Sequence, residues 1–260
     1  MDITQETVEA PRISVVIPAF NEEGYLPRLL NTIDRARQHY SYGSDAIEVV
    51  LADNASTDTT PTLAALRGCC VVYVEKPSIA AARNGGAQRA KGTILAFIDA
   101  DSQIHHDTFN VIEQTMSSGR VIVGASGVTL SRMSPALAFL MLIAVPLTRL
   151  ARLDSGVVFC RREDWNAVGG YNEAKPVAED IQFLMDLKRL GRQRGQKYAR
   201  AHGIEAVTST RKFDKHGDWK FLMSMLCAPL IGLVNRSALD SWVHRHWYED
   251  RGSRRAPPPE

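Results

Sequence analysis

The chain has 260 residues, 45% hydrophobic and 23% charged, so it can bury a core, and disorder is excluded for most of it. With 31 lysine and arginine against 29 aspartate and glutamate residues, the net charge is only +2. The basic bias of dedicated nucleic-acid-binding proteins is missing, so we expect no nucleic-acid partner. The four cysteines are too few for a disulfide scaffold and none lies in a Cys-x-x-Cys pair, which predicts buried thiols and a cytoplasmic location.

The first half of the chain alternates apolar runs with amphipathic segments, and the second half breaks this rhythm. Strands are predicted at 13–17, 47–51, 71–74, 94–98, 121–123 and 156–159. Helices are predicted at 22–40, at 58–66 with Ser56 or Thr57 as the N-cap, at 79–90 and at 179–190. Strands that alternate with helices indicate an α/β fold with a mostly parallel sheet, whose ligands bind outside the carboxyl ends of the strands.

Acid-bearing turns follow three of these strands: Pro18-Ala19-Phe20-Asn21-Glu22-Glu23, Ala52 to Asp58, and Asp99-Ala100-Asp101. Helix capping would explain any one of them, but three on one edge of a sheet favour a polar ligand site. In extended backbone, residues two apart point the same way. Asp99 and Asp101 would therefore repel each other unless a cation lay between them, and their oxygens suit Mg²⁺ or Mn²⁺ bound together with phosphate oxygens.

The glycine-rich loops that bind phosphates in other nucleotide enzymes are missing from the sequence. There is no Gly-x-x-x-x-Gly-Lys run, and no Gly-x-Gly-x-x-Gly follows the first strand, which argues against P-loop and nicotinamide enzymes. A diphosphate would then be held by a metal and by basic side chains, of which Arg83 is the nearest candidate.

These motifs resemble the family 2 glycosyltransferases of the GT-A fold. The resemblance rests on V-V-I-P-A-F-N-E-E (15–23), A-D-N-A-S-T-D (52–58), A-R-N-G-G-A (82–87), F-I-D-A-D (97–101), S-G-V-V-F-C-R-R-E (155–163), V-G-G-Y-N-E (168–173) and A-E-D (178–180). It implies inverting, metal-dependent transfer of a sugar from a UDP- or GDP-linked donor. The acceptor would be a glycan, a lipid-linked compound or a small molecule, as in the synthesis of cell-envelope polysaccharides.

The resemblance also implies roles for particular residues. Nucleotide contacts fall on Pro18, Ala19, Phe20, Glu22, Asp53, Arg83, Asp99, Ala100 and Arg211. Metal ligands fall on Asp99 and Asp101, with His216 as a possible third, and a surface histidine is the alternative for His216. Catalytic residues fall on Asp180, which matches the general base, and on its neighbour Glu179. One departure is Ala55, which stands where glycine is more common and predicts a stiffer second turn.

The chemistry explains why the acids are separated along the chain. Substitution at an anomeric carbon passes through a cation-like transition state, and a metal neutralises the departing diphosphate. The acceptor hydroxyl must lose its proton on the opposite face, which needs a second carboxylate away from the metal. The alternative for Glu179 and Asp180 is a favourable interaction with a helix dipole.

Two other functions remain open from the sequence. One is a phosphatase with Asp99 as its nucleophile, although that class usually has its Asp-x-Asp motif after the first strand. The other is a nucleotide-sugar-binding or membrane-scaffold protein without transferase activity.

The expected organisation is a polar N-terminal tail (1–11), a GT-A domain (12–218), an apolar helical segment (219–250) and a disordered tail (251–260). The tail 1–11 is polar and unlike a signal peptide. The apolar stretches 136–148 and 221–234 would each span roughly 20 Å as a helix, too short for a ~30 Å hydrocarbon core. They pack in the core or lie at a membrane surface; the aromatic and basic residues Trp242, Arg245 and Trp247 are typical of peripheral contact with the cytoplasmic face.

Overall fold

The computed structural model of the chain describes residues 10–174, 178–220 and 222–223. The strands are β1 (Ile13–Ala19), β2 (Ile47–Asp53), β3 (Cys70–Tyr73), β4 (Ile94–Phe97), β5 (Ser102–Gln103), β6 (Val121–Leu130), β7 (Val158–Arg161) and β8 (Lys197–Thr208). The helices are α1 (Leu26–His39), α2 (Thr60–Leu66), α3 (Ile79–Arg89), α4 (Thr108–Ser117), α5 (Pro135–Ala151), α6 (Arg162–Val168), α7 (Glu179–Gln193) and α8 (Arg211–His216). A short 3₁₀ turn, Ser44–Ala46, precedes β2.

All eight strands form one sheet in the order β3-β2-β1-β4-β7-β6-β8-β5. The adjacent strands β3, β2, β1 and β4 are parallel to one another. Strand β7 is antiparallel to β4 and β6, whereas β6 and β8 are parallel. The predicted α/β architecture with a mostly parallel sheet is confirmed, and the carboxyl ends of β1, β2 and β4 share one edge.

The core lies on both faces of this sheet. On one face the apolar side chains of α1 and α4 pack on the strands, and on the other face α3 and α7 do so. Every residue of β1 is buried, which explains why its sequence is apolar throughout except for Ser14 rather than alternating. Helix α3 can approach the sheet closely because Gly85 and Gly86 have no side chain. A Cβ on Gly86 would lie 2.5 Å from Val16 Cγ1, and one on Gly85 would lie 2.6 Å from Val74 Cγ2.

Two helices begin later than predicted. Helix α1 begins at Leu26 rather than residue 22. Glu22 instead begins a turn, in which its carbonyl oxygen accepts hydrogen bonds from the Tyr25 and Leu26 amides. Helix α2 begins at Thr60 rather than residue 58, and neither Ser56 nor Thr57 caps it. Both of these side chains instead reach across to the turn after β1.

The second half contains more regular structure than predicted. Strand β6 extends to Leu130 instead of ending at residue 123, and β8, α4, α6 and α8 had no counterpart in the prediction. Cys160 is buried as expected, whereas Cys69 and Cys70 are only partly buried; Cys227 lies outside the described residues.

Helix α5 contains the apolar stretch 136–148. Of its 17 residues only Ala136 and Leu137 are buried, and Leu140 is partly buried against Leu137 and Phe213; packing within the described residues therefore accounts mainly for its N-terminal end. No helix among the described residues is long and apolar enough to span a bilayer. Most of the predicted tail 1–11, most of the segment 219–250 and all of 251–260 lie outside the described residues.

Candidate functional site

The turns after β1 and β2 are joined into one polar surface. The Asn21 amide donates to the Ser56 hydroxyl at 3.0 Å, and the Thr57 amide donates to Asn21 Oδ1 at 2.8 Å. The Glu22 amide donates to the Thr60 hydroxyl at 2.8 Å. These bonds fix the position of the Glu22 side chain relative to the sheet edge, so much of the polar sequence in both turns is used for structure.

Arg211 of α8 closes over this surface. Its guanidinium forms two parallel hydrogen bonds of 2.6 Å with the Glu22 carboxylate, and its Nε lies 3.4 Å from Asp101 Oδ2. The Arg211 guanidinium also lies 5.0 Å from the centre of the Tyr25 ring. Burial raises the pKa of both Glu22 and Asp101, and Arg211 opposes that rise. One arginine therefore neutralises the buried Glu22 and the partly buried Asp101, which lie in different turns.

Arg83 makes the second charged connection. This buried residue donates to Asp99 Oδ1 at 2.9 Å and to Glu179 Oε1 at 2.8 Å, with its guanidinium 5.2 Å from the centre of the Tyr171 ring. Burial raises the pKa of Glu179, and the charge of Arg83 opposes this. Arg83 thus ties the end of β4 to the start of α7.

The predicted base and its neighbour differ in environment. The Glu179 carboxylate is committed to Arg83, whereas Asp180 Oδ1 accepts from the following amide, that of Ile181, at 2.8 Å. Asp180 is only partly buried, while Glu179 is buried. Helix α7 starts after Ala178, whose φ of 58° is left-handed. Of the two acids, Asp180 is the one whose carboxylate can meet a substrate.

The remaining predicted residues are distributed around this site. Pro18 and Ala19 are buried at the end of β1, followed by the partly buried Phe20, and Ala100 is buried between the two acids. Asp53, buried at the end of β2, accepts from the Ser56 amide at 3.1 Å, a bond within its own turn.

A divalent metal fits the donor set without a preformed cage. No group of three or more histidine, cysteine, aspartate or glutamate side chains in the described residues is arranged to hold a metal ion. Two carboxylates completed by phosphate oxygens are, however, what Mg²⁺ and Mn²⁺ use with nucleotides. Asp99 and Asp101 have this chemistry. His216 lies at the far end of α8, about 7 Å along the helix axis from Arg211, and its role as a ligand stays a prediction.

Three residues near these charges were missing from the sequence-based set. Tyr25 and Tyr171 lie beside the two arginines. Burial and Arg211 lower the pKa of Lys212 to about 8, although Asp101 and Asp99 oppose this. Lys212 was detectable as part of the basic segment that contains Arg211, and Tyr171 as part of the V-G-G-Y-N-E motif. Tyr25 had no signal apart from its place after the first turn.

Comparison with known proteins gives one family. Residues 14–135 match the model described as glycosyl transferase family 2. Validoxylamine A glucosyltransferase of Streptomyces hygroscopicus subsp. limoneus is 39% identical over 102 residues, which cover 36% of this chain and 21% of that protein. Glycosyltransferase AglE of Haloferax volcanii is 29% identical over 130 residues, covering 48% and 39%. The matches therefore span less than half the length of these curated relatives.

Solved structures share the fold at low sequence identity. The mannosyltransferase PcManGT of Pyrobaculum calidifontis, in complex with GDP-Man and Mn²⁺, has a TM-score of 0.62 and 20% identity, covering 96% of this chain and 66% of that one. Staphylococcus aureus TarS with UDP-GlcNAc has a TM-score of 0.60 and 17% identity, covering 92% and 72%. Glucosyl-3-phosphoglycerate synthase of Mycobacterium tuberculosis, in complex with Mn²⁺, UDP and glucosyl-3-phosphoglycerate, has a TM-score of 0.58 and 21% identity, covering 84% of this chain and 79% of that one. The predicted fold class is thereby confirmed.

Proposed function

We propose that this chain is a member of glycosyl transferase family 2 and that it transfers a sugar from a UDP- or GDP-linked donor to an acceptor hydroxyl, with inversion at the anomeric carbon. The observation that carries the proposal is the double ion pair of Arg83 with Asp99 and Glu179. It connects a strand end suited to a diphosphate with the helix start that bears Asp180.

The donor side consists of the turns after β1, β2 and β4. Glu22, Asp53 and Arg83 contact the nucleoside, together with the Pro18-to-Phe20 segment and Ala100. Arg211 and its neighbour Lys212 supply positive charge for the diphosphate. Support comes from their position against the acids of the site and from the nucleotide-sugar complexes of structures with the same fold.

Asp99 and Asp101 would hold Mn²⁺ or Mg²⁺ together with the diphosphate. When bound, such a cation stabilises the negative charge of the departing nucleoside diphosphate as a Lewis acid. Two structures with the same fold contain Mn²⁺, and this supports the metal. A choice between the two ions is left to measurement.

On the acceptor side, Asp180 is the general base. The acceptor oxygen forms a bond to the anomeric carbon while the bond from that carbon to the diphosphate oxygen breaks, and the hydroxyl proton passes to the Asp180 carboxylate. Glu179 acts as a positioning residue, because its carboxylate holds Arg83. The acceptor is a glycan, a lipid-linked compound or a small molecule.

We also propose peripheral membrane contact. The sequence-based argument for it rests on residues 219–250, which lie largely outside the described residues. Flotation of the full chain with liposomes tests it.

The test of the activity is a screen of UDP- and GDP-sugars with Mn²⁺ and Mg²⁺ by thermal shift, followed by detection of nucleoside diphosphate release. A donor at about 100 times its Kd adds about 2.7 kcal/mol to stability, which raises Tm by about 5–10 °C in a chain of this size. With the active donor, the unmodified protein should release nucleoside diphosphate. Asp180→Asn should bind the same donor but release nucleoside diphosphate about 10²-fold more slowly.

Two results would contradict the transferase. Donor binding without turnover in any metal would indicate a nucleotide-sugar-binding protein. Release of inorganic phosphate from a phosphomonoester, abolished by Asp99→Asn, would instead indicate a phosphatase.

A further inference from the structure

The outward face of α5 is apolar along its whole length. Leu142, Leu147 and Leu150 are 72%, 63% and 84% exposed in the described part of the chain, and Phe139 and Ile143 are also exposed. At 3.6 residues per turn these five positions fall within an arc of about 140°. A contiguous exposed face of large apolar side chains marks an interaction site rather than ordinary surface.

A cationic cleft lies at the C-terminal end of the same helix. It has a volume of about 480 Å³ and is lined by Arg149, Arg152, Asp154, Lys197, Tyr198, Ala199 and Arg200. Asp154, the one carboxylate in this lining, accepts from the Tyr198 hydroxyl at 2.6 Å and pairs with Arg200 at 2.7 Å. Among the described residues, no carboxylate is within ion-pair distance of Arg149, Arg152 or Lys197.

Lys188 of α7 adds to this charge and fixes the end of α5. Its ammonium donates to the carbonyl oxygens of Ala151 and Arg152 at 3.1 and 3.2 Å, in the position where a cation stabilises a helix C-terminus. Burial lowers the pKa of Lys188, and the nearby Arg152 and Arg192 lower it further. The cleft is therefore preorganised and carries more positive than negative charge.

We propose that the apolar face of α5 and this cleft together dock the protein on an anionic phospholipid bilayer, with a lipid phosphate in the cleft. The inference rests on the peripheral contact proposed above and gives that contact a surface and a lipid chemistry. A helix of 17 residues spans about 25 Å, so it would lie in the interface with its leucines among the acyl chains.

Charge complementarity favours a lipid over other occupants. Residues 224–234 of this chain are apolar and contain no acidic side chain, so they would cover the leucines without neutralising the cleft. A second copy of α5 contains no acidic side chain, so it would also leave the cleft without a neutralising charge. An anionic bilayer satisfies both features at once, because its acyl chains and its phosphates are found at adjacent depths.

The geometry of α7 links this surface to the proposed reaction. Lys188 at the cleft is eight residues from Asp180, which is about 12 Å along the helix axis. A phosphate in the cleft would therefore lie within about 12 Å, measured along α7, of the helix end that carries the base.

Flotation of the full-length protein tests the inference, with vesicles of phosphatidylcholine alone and of phosphatidylcholine mixed with phosphatidylglycerol. We expect stronger binding to the mixed vesicles, weakened by salt. Arg149→Gln/Arg152→Gln should lower the partition coefficient on mixed vesicles about 25-fold, at about fivefold for each cation, with little change on neutral ones. Leu147→Ser/Leu150→Ser should lower it at least about tenfold on both.

Matched controls come from other faces. Arg35→Gln/Arg89→Gln removes two exposed arginines of α1 and α3, and Leu66→Ser removes a 79% exposed leucine of α2; both should bind as the unmodified chain does.

Three outcomes would overturn the inference. If the chain floats and the Arg149/Arg152 variant partitions equally well, the peripheral contact stands but this surface is not its site. If Leu147→Ser/Leu150→Ser lowers Tm or dissociates a dimer without altering flotation, the face is covered by protein. Failure of the unmodified chain to float removes both membrane proposals, and donor binding measured in parallel leaves the transferase proposal separately tested.

Discussion

Replacing Arg83 by methionine should lower the free energy of unfolding, by an amount that depends on pH. The methionine keeps the apolar stem in α3 but removes the guanidinium that pairs with Asp99 and Glu179. The side chain of Glu179 is 11% exposed, so losing its partner leaves a buried charge uncompensated. The side chain of Asp99 is 47% exposed, and solvent replaces its partner at a cost of about 0–1 kcal/mol.

The size of the loss in stability depends on whether Glu179 stays charged or takes up a proton once Arg83 is removed. Breaking a buried ion pair costs about 3–5 kcal/mol. Glu179 limits that cost by taking a proton, which at pH 7 costs about 3.7 kcal/mol for a group with an unperturbed pKa near 4.3. We therefore expect a loss of about 3–4 kcal/mol at pH 7.

The sign of the pH dependence is fixed by the same argument. In the variant, the folded-state pKa of Glu179 rises further above its unfolded value, so the folded state binds the extra proton. The deficit relative to the unmodified protein should shrink by about 1.4 kcal/mol per pH unit as the pH falls from 7 towards 4.5.

Urea unfolding at several pH values measures both effects, with stability taken from the midpoint at constant m. Adding Glu179→Met to Arg83→Met should restore most of the stability, since an apolar pair replaces a buried ionic one, but should not restore donor affinity. The matched control is Arg67→Met, whose exposed partner Asp34 lies 2.5 Å away and whose loss should cost under about 1 kcal/mol. A deficit for Arg83→Met as small as this, or one independent of pH, would refute the reasoning.

Four further outcomes are expected. Asp101→Ala should lose metal-dependent binding of UDP or GDP in calorimetry with Mn²⁺; unchanged affinity would remove Asp101 from the metal site. In Asp180→Asn, turnover should fall about 10²-fold or more with nucleotide affinity retained, and the reverse pattern would assign Asp180 to the donor. Burial lowers the pKa of Lys212 to about 8, so the unfolded chain holds that proton to higher pH, and the contribution of Lys212 to stability should rise by about 2 kcal/mol between pH 8 and 10. In urea unfolding, the free energy of unfolding of Lys212→Met minus that of the unmodified protein should therefore fall by about this amount over the same range. Ala55 has a left-handed φ of 63°, so Ala55→Gly should raise the unfolding free energy by about 1 kcal/mol, and a decrease would mean that the turn is not strained.

The parallel half of the sheet was predictable because its signals are local. The apolar runs of β1, β2 and β4 and the acid-bearing turns that follow them can be read within short windows of sequence. Strand β8 could not be read in this way, because in its twelve residues only Ala201, Ile204 and Ala206 are buried. Strand β8 is defined by its hydrogen-bonded pairing with β6 and β5 rather than by a pattern of apolar residues in its sequence. Helix α4 was missed although its buried Phe109, Ile112 and Met116 follow the helical period.

The charged residues of the site were predictable individually, and their pairing was not. Arg83 was singled out as a basic candidate for the diphosphate and as part of the A-R-N-G-G-A motif, but its partner Glu179 is 96 residues away in the chain. Arg211 and Glu22 are 189 residues apart. No local pattern encodes such separations, and only the fold brings the two arginines to the acids.

The ion pairs of these two arginines also bear on how donor and metal would bind in the proposed reaction. Arg211 neutralises Glu22 and Asp101, and Arg83 neutralises Asp99 and Glu179. A diphosphate that recruits Arg211 must take it from the buried Glu22 and the partly buried Asp101, which then need another positive charge. A divalent cation brought in with the diphosphate would supply that charge at Asp101, so the ion pairs of Arg211 argue that donor and metal bind together rather than one after the other.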